Sequence, residues 1–140
     1  MRSLVLDAGV LSLHFVDDPR VTEHFDEIDD SRCSGYITGV NVAEFYYQTC
    51  RKLGKQTADT WFHLVGGSPI KVVLDDDLNR LAGRERCSRT LDLSLADCYA
   101  LALAKRLGGT ILTTDRELAK TREVDSILFS VEDTRAHLIA

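Results

Sequence analysis

The chain has 140 residues, of which 44% are hydrophobic and 28% charged, and its formal net charge is −5. These values predict one soluble globular domain over residues 1–140, and they exclude a disordered chain and a basic coat protein of nucleic acids. They do not exclude a nuclease, because a site that holds divalent cations needs carboxylates. The cysteines and histidines form no CxxC or HxxxH pair, so their spacing does not fit a zinc site.

The sequence also predicts a cytoplasmic protein without a membrane partner. Asp7 interrupts the first apolar run, so the start of the chain does not fit a secretory signal peptide. Apolar stretches stay shorter than the roughly 18 residues that a membrane span needs.

Short apolar runs alternate with longer amphipathic segments along the chain. The first run ends at Asp7, and the run before Asp115 follows a helix that Gly108 and Gly109 end. This alternation predicts an α/β fold with a parallel sheet of about five strands and helices on both faces. The predicted strands are 3–6, 35–38, 70–74, 110–114 and 127–131. The predicted helices are 8–16, 19–29, 42–53, 56–65, 78–88, one that begins near residue 93, and 117–122.

The stretch 93–118, LSLADCYALALAKRLGGTILTTDREL, is the most informative part of the sequence. Asp97 is the one charged residue between Leu93 and Ala104, so it lies in a helix that is apolar on all sides and is predicted to be buried. A carboxylate in such a helix is costly unless it is paired, protonated or bound to a cation. Asp115 then follows the strand that comes after this helix.

Four acids are expected at one edge of the sheet. Right-handed crossovers bring helix N-termini to the edge where parallel strands end. Asp7 and Asp115 follow strands, while Glu44 and Asp97 lie in predicted first helical turns. Carboxylates gathered there would repel one another, and hard oxygen ligands in this number suit Mg²⁺ or Mn²⁺. Such ions polarise a phosphodiester and activate water.

Each of these acids also has a purely structural interpretation. Asn41-x-x-Glu44 and Ser94-x-x-Asp97 resemble capping boxes in their spacing, with Asn41 as the predicted N-cap of its helix. The two acids that follow strands can likewise cap the helices after them. The acidic run at 75–77 has two interpretations, a metal site or a cap for the helix that follows it, and the cap is favoured.

Four motifs, VLDAGVL, TGVNVAEFYY, LSLADCYALALAKRLG and ILTTDREL, resemble in their order and spacing those of PIN-domain ribonucleases. The closest resemblance is to the small VapC-like toxins of toxin–antitoxin pairs, and it covers nearly the whole chain. It implies a three-layer α/β/α fold and Mg²⁺- or Mn²⁺-dependent endonucleolytic cleavage of RNA. It assigns metal-binding and catalytic roles to Asp7, Glu44, Asp97 and Asp115, and supporting roles to Thr113 and Glu117.

The resemblance further implies a homodimer and a small antitoxin that inserts a basic side chain into the acidic cleft. Four aromatic side chains can either line a groove for that partner or pack in the core: Phe45, Tyr46, Trp61 and Phe62. The sequence departs from the family at Gly9, where a serine or threonine is frequent.

Two other interpretations remain open at this point. The first is a binding module that keeps the fold and lacks turnover, which the departure at Gly9 leaves possible. The second is a receiver-type phosphoacceptor domain, which also binds Mg²⁺ at strand ends. That class has paired acids after its first strand and a lysine after its last. Here Asp7 stands alone, and residues 127–134 contain no lysine.

Overall fold

The computed structural model describes residues 1–89 and 93–131. Its strands are β1 (Arg2–Leu6), β2 (Cys33–Thr38), β3 (Lys71–Val73), β4 (Thr110–Thr113) and β5 (Ser126–Leu128). They form one parallel sheet in the order β3-β2-β1-β4-β5. Every predicted strand is present with its boundaries shifted by a few residues, which confirms the parallel α/β fold class.

The helices of the described ranges are α1 (Ala8–Phe15), α2 (Pro19–Asp29), α3 (Gly39–Leu53), α4 (Lys55–Gly66), α5 (Asp76–Cys87), α6 (Leu95–Leu107) and α7 (Arg116–Lys120). Asp75 accepts a hydrogen bond from the Leu78 amide and caps α5, so the capping interpretation of the acidic run is correct. Gly108 ends α6 in the left-handed conformation, as predicted. None of the helices in these ranges is long and apolar enough to pass through a bilayer.

Side chains alternate between the two faces of the sheet and produce two cores. Leu4 and Leu6 of β1 pack with α1, α2 and α3 on one face, and Leu112 of β4 joins them. Val5 and Ile111, the neighbours in sequence, pack with α5 and α6 on the other face. Because both faces of the sheet are covered, the strands are continuously apolar, as the short apolar runs of the sequence indicate. The result is the predicted three-layer α/β/α arrangement.

The start of α3 differs from the prediction. Thr38, the last residue of β2, is the N-cap, and its hydroxyl accepts a hydrogen bond from the Asn41 amide at 3.1 Å. The helix therefore begins at Gly39, three residues before the predicted start at 42. Asn41 is not the cap because its side chain is buried, where it contacts the Thr38 hydroxyl and donates to the Ala96 carbonyl at 3.5 Å. Consequently Glu44 lies in the second turn of α3, not the first.

The strand order locates the edge at which a ligand would bind. The chain runs outward from β1 through β2 to β3, and then returns to the other side of β1 with β4. The ends of β1 and β4 therefore form the topological switch point, where α/β proteins bind ligands. Receiver domains have the order 2-1-3-4-5. The sheet described above does not, so the receiver interpretation is wrong.

Candidate metal-binding active site

Several of the buried polar side chains in the described ranges lie at the switch point. Asp7 directly follows β1, and Thr113 is the last residue of the neighbouring strand β4. The two carboxylic acids Asp7 and Asp97 are only 5% and 8% exposed. Burying polar groups is costly unless they are hydrogen-bonded, so this concentration marks a place where the chain holds a specific arrangement.

Asp7 connects three backbone segments through its carboxylate. Its Oδ1 accepts from the Val10 amide at 2.8 Å, which confirms the capping role in α1. Its Oδ2 accepts from the Thr113 hydroxyl at 2.5 Å and from the Thr114 amide at 3.1 Å. Burial raises the pKa of Asp7, the three donors oppose this rise, and the charge of Asp115 adds to it. The carboxylate is thus held in one orientation at the end of β1.

Thr113 links Asp7 to Asp115. Its side chain is fully buried, and its hydroxyl both donates to Asp7 and accepts from the Asp115 amide at 2.9 Å. One hydroxyl therefore fixes the spacing between two acids that are more than a hundred residues apart in the sequence. These two contacts are compatible with the supporting role that the family resemblance implies for Thr113.

Replacing Thr113 by valine should lower the free energy of unfolding by about 1–3 kcal/mol, because a similar shape remains while buried partners lose their hydrogen bonds. Urea denaturation of the metal-free protein measures this change. Thr113→Ser, which keeps the hydroxyl, serves as the matched control. A loss in Thr113→Ser with none in Thr113→Val would mean that packing of the methyl group, not the hydrogen bonds, explains the role of Thr113.

Asp97 and Asp115 form a carboxylate pair. Asp97 is part of a capping box at the start of α6, where Ser94 and Asp97 each accept a hydrogen bond from the other's amide. Asp115 caps α7 by accepting from the Glu117 and Leu118 amides. Burial, together with a side-chain hydrogen bond and the charge of Asp115, raises the pKa of Asp97 to about 7. Two carboxyls share a hydrogen bond only when one of them carries a proton.

Glu44 completes the set of acids that affect one another. It is half-buried on α3. Burial raises the pKa of Glu44, and the charges of Asp7 and Asp115 raise it further. In the described ranges, the charged neighbours that shift the pKa values of Asp7, Glu44 and Asp97 are all acids. Four acids therefore share one strongly negative region of the sheet edge.

Glu117 lies beside this region. Its amide donates to Asp115, but its carboxylate forms an exposed ion pair with Lys120 at 3.4 Å. Two further polar residues were not predicted from the sequence to belong to the site. Thr38 and Asn41 join α3 to α6 across the same edge. A hydroxyl residue at the end of a predicted strand was the available signal for Thr38, whereas the burial of Asn41 has no sequence signal.

The acids offer the hard oxygen ligands that Mg²⁺ and Mn²⁺ prefer. A carboxylate has about four lone pairs, and the hydrogen bonds of Asp7 use three, which leaves one on Oδ1. Within the described residues, no three acidic, histidine or cysteine side chains are already arranged to hold an ion. Asp97 and Asp115 bond to each other instead. Coordination by both therefore requires this pair to open and to release its proton.

An apolar groove of about 630 Å³ lies between α3 and α4. Tyr46 and Phe62 line it, with ring centroids 5.9 Å apart, and the Tyr46 hydroxyl donates to Asp59 at 2.6 Å. The other two aromatic residues are not available there. Phe45 is fully buried in the core, and Trp61 packs against it.

The comparisons with known proteins agree with this fold. A family model described as the PIN domain matches residues 4–124. Comparison with curated proteins gives no match. Among solved structures, the chain resembles the sarcin–ricin loop cleaving toxin VapC20 of Mycobacterium tuberculosis, with a TM-score of 0.71 and 13% identity over 90% of this chain and 99% of that one.

Two toxin–antitoxin structures are also similar. VapBC2 of Rickettsia felis, bound to a promoter DNA fragment, has a TM-score of 0.71 and 12% identity over 91% of this chain and 99% of that one. VapBC-1 of nontypeable Haemophilus influenzae has a TM-score of 0.62 and 11% identity over 90% of this chain and 97% of that one. Identities this low show a shared fold only. The family match spans most of the chain, so this protein belongs to the PIN domain family, in which ribonuclease activity is typical.

Proposed function

We propose that the chain is a Mg²⁺- or Mn²⁺-dependent endoribonuclease and the toxin of a toxin–antitoxin pair. The observation that carries this proposal is the convergence of four acids from separate elements on the switch point between β1 and β4. A binding module without turnover needs no such arrangement. Acids that served only as helix caps would have no reason to lie close enough to raise one another's pKa values either.

In this proposal four acids hold the ion: Asp7, Glu44, Asp97 and Asp115. A divalent ion there would polarise the scissile phosphodiester and activate water. Asp7 supplies an oxygen whose direction Thr113 and the Thr114 amide fix. Asp97 releases its proton when the pair with Asp115 opens. The raised pKa of Glu44 brings this acid closer to the pH at which proton transfer is efficient.

The partner surface is proposed to be the groove that Tyr46 and Phe62 line. Phe62 is 46% exposed, and the groove borders the first turns of α3 at Gly39 and Val42. Apolar grooves of this kind accept amphipathic segments of a partner. An antitoxin segment lying there could extend a basic side chain toward the acids. We also propose that the toxin is cytoplasmic and that it forms a homodimer. Light scattering of the purified protein would test the homodimer.

Cleavage of RNA by the purified protein with Mn²⁺ tests the proposed activity. We expect endonucleolytic products that require the ion and disappear when a chelator is added. A structured ribosomal RNA, a messenger RNA and a transfer RNA should be compared, since their different folds distinguish the preferred substrate class. Binding of Mn²⁺ without cleavage of any of these RNAs would favour the binding-module alternative.

Mn²⁺ should raise the melting temperature, since it binds the folded protein. Ligand at 100 times its dissociation constant stabilises a protein by about 2.7 kcal/mol. The rise should be larger at pH 8 than at pH 6, because coordination displaces the proton of the Asp97 pair, whose pKa is raised to about 7. Differential scanning fluorimetry with and without Mn²⁺ at both pH values measures it. A rise that does not depend on pH would argue against Asp97 as a ligand.

A further inference from the structure

Gly9, the second residue of α1, lies against Thr114, which follows β4. A β-carbon on residue 9 would overlap the Thr114 hydroxyl oxygen and would lie 3.0 Å from both Cβ and Cγ2 of Thr114. Rotation about χ1 could move the hydroxyl and the methyl group, but Cβ is fixed to the backbone. A side chain at residue 9 therefore requires the backbone at residue 9 or at Thr114 to shift by a few tenths of an ångström.

The backbone of Thr114 is part of the acidic site. Its amide donates to Asp7 Oδ2 at 3.1 Å. The residue before it, Thr113, donates to the same oxygen and accepts from the Asp115 amide. A displacement of Thr114 would therefore move both Asp7, at the end of β1, and Asp115, just after β4.

We propose that Gly9 and Thr114 are a packed pair of positioning residues that set the distance between Asp7 and Asp115. The Thr114 side chain occupies the space in which a side chain at residue 9 would begin, so glycine at 9 and threonine at 114 depend on each other. This inference rests on the proposed nuclease function for its consequences, but its geometry can be tested separately.

A double-mutant cycle isolates the pair. Gly9→Ala is made in the wild-type background and in the Thr114→Gly background, where the obstructing side chain is absent. Gly83→Ala in α5 is the matched control, since a β-carbon there meets nothing within 4 Å. Three quantities are measured for each variant: hydrogen exchange of the residue 114 amide, the Mn²⁺-induced rise in melting temperature, and RNA cleavage.

In the wild-type background, Gly9→Ala should speed amide exchange at residue 114, reduce the Mn²⁺-induced rise, and lower cleavage by about tenfold to a hundredfold, since small misplacements of reacting groups have large effects. In the Thr114→Gly background the same substitution should change each quantity much less. Gly83→Ala should leave the amide exchange at residue 114 and cleavage unchanged.

Equal effects of Gly9→Ala in both backgrounds, or no effect in either, would overturn the proposed pair. Failure of the proposed function would have a different signature. The wild type would then neither cleave RNA nor gain stability from Mn²⁺, while the amide-exchange cycle would still decide whether Gly9 and Thr114 position the acids.

Discussion

Replacing Asp97 by asparagine should stabilise the metal-free protein at pH 8 and abolish its Mn²⁺-dependent activity. Burial and the neighbouring Asp115 raise the pKa of Asp97 from 3.8 to about 7. Between these two values the folded protein binds more protons than the unfolded chain. The contribution of Asp97 to the free energy of unfolding therefore falls as pH rises through this window. Above it, the folded protein has to keep an ionised Asp97 next to Asp115.

The asparagine amide removes this repulsion and keeps an oxygen for the Ser94 amide. Each pKa unit corresponds to about 1.4 kcal/mol, so the gain at pH 8 should be roughly 2–4 kcal/mol. Urea denaturation of both proteins from pH 5 to pH 8 gives the difference in their free energies of unfolding at each pH. Because the pKa of His14 is lowered, its contribution to the free energy of unfolding rises with pH instead. This contribution is the same in both proteins and cancels in the difference. A difference that does not grow with pH would contradict the assignment of this pair.

Replacing Asp7 by asparagine should abolish activity as well, but with the opposite effect on stability. Donors approach the carboxylate of Asp7 on both oxygens: the Val10 amide on one, and Thr113 and the Thr114 amide on the other. The NH₂ group of asparagine would face one of these N–H groups. Removing the charge, whose burial raises the pKa of Asp7, offsets part of this effect. The unpaired donors should outweigh it and lower the free energy of unfolding by about 1–3 kcal/mol. Loss of a metal ligand should also reduce cleavage at least about a hundredfold.

Denaturation and cleavage assays at pH 7 on the same preparations measure both effects. Asp77→Asn is the matched control, since Asp77 forms an exposed ion pair with Arg80. Exposed pairs contribute at most about 1 kcal/mol. If Asp7→Asn were as stable as the wild type, the hydrogen bonds around Asp7 would not be what orders this edge. If it cleaved RNA normally, the proposed site would be wrong.

The two variants together separate activity from stability. One gains stability and the other loses it, yet both should lose cleavage. Unfolding therefore cannot explain both losses. The gain expected for Asp97→Asn is the cost of holding Asp97 next to Asp115, an arrangement that function requires and that folding alone would not favour.

Much of this arrangement followed from the sequence. The strands are short apolar runs covered on both faces, and the parallel topology follows from their alternation with helices. Because topology determines which strand ends share an edge, the sequence was sufficient to predict that Asp7 and Asp115 lie close together. The burial of Asp97 followed from the apolar residues on every side of it.

Details that depend on tertiary contacts could not be predicted. Thr38 and Asn41 are both good N-cap residues, and the burial of Asn41 against α6 decides between them. Similarly, consecutive aromatic residues on α3 point in directions about 100° apart, since a helix has 3.6 residues per turn. Phe45 consequently enters the core while Tyr46 lines the groove. The choice between them depends on which face of α3 meets the sheet.

The central claim is that the converging acids bind a divalent ion. The most direct test is to crystallise the protein with Mn²⁺ and to locate the ion by its anomalous scattering. We predict a peak within coordinating distance of Asp7, Asp97 and Asp115, and its loss in a crystal of Asp97→Asn under the same conditions. An ion bound elsewhere at saturating Mn²⁺, with these three carboxylates left apart from it, would contradict the proposed site.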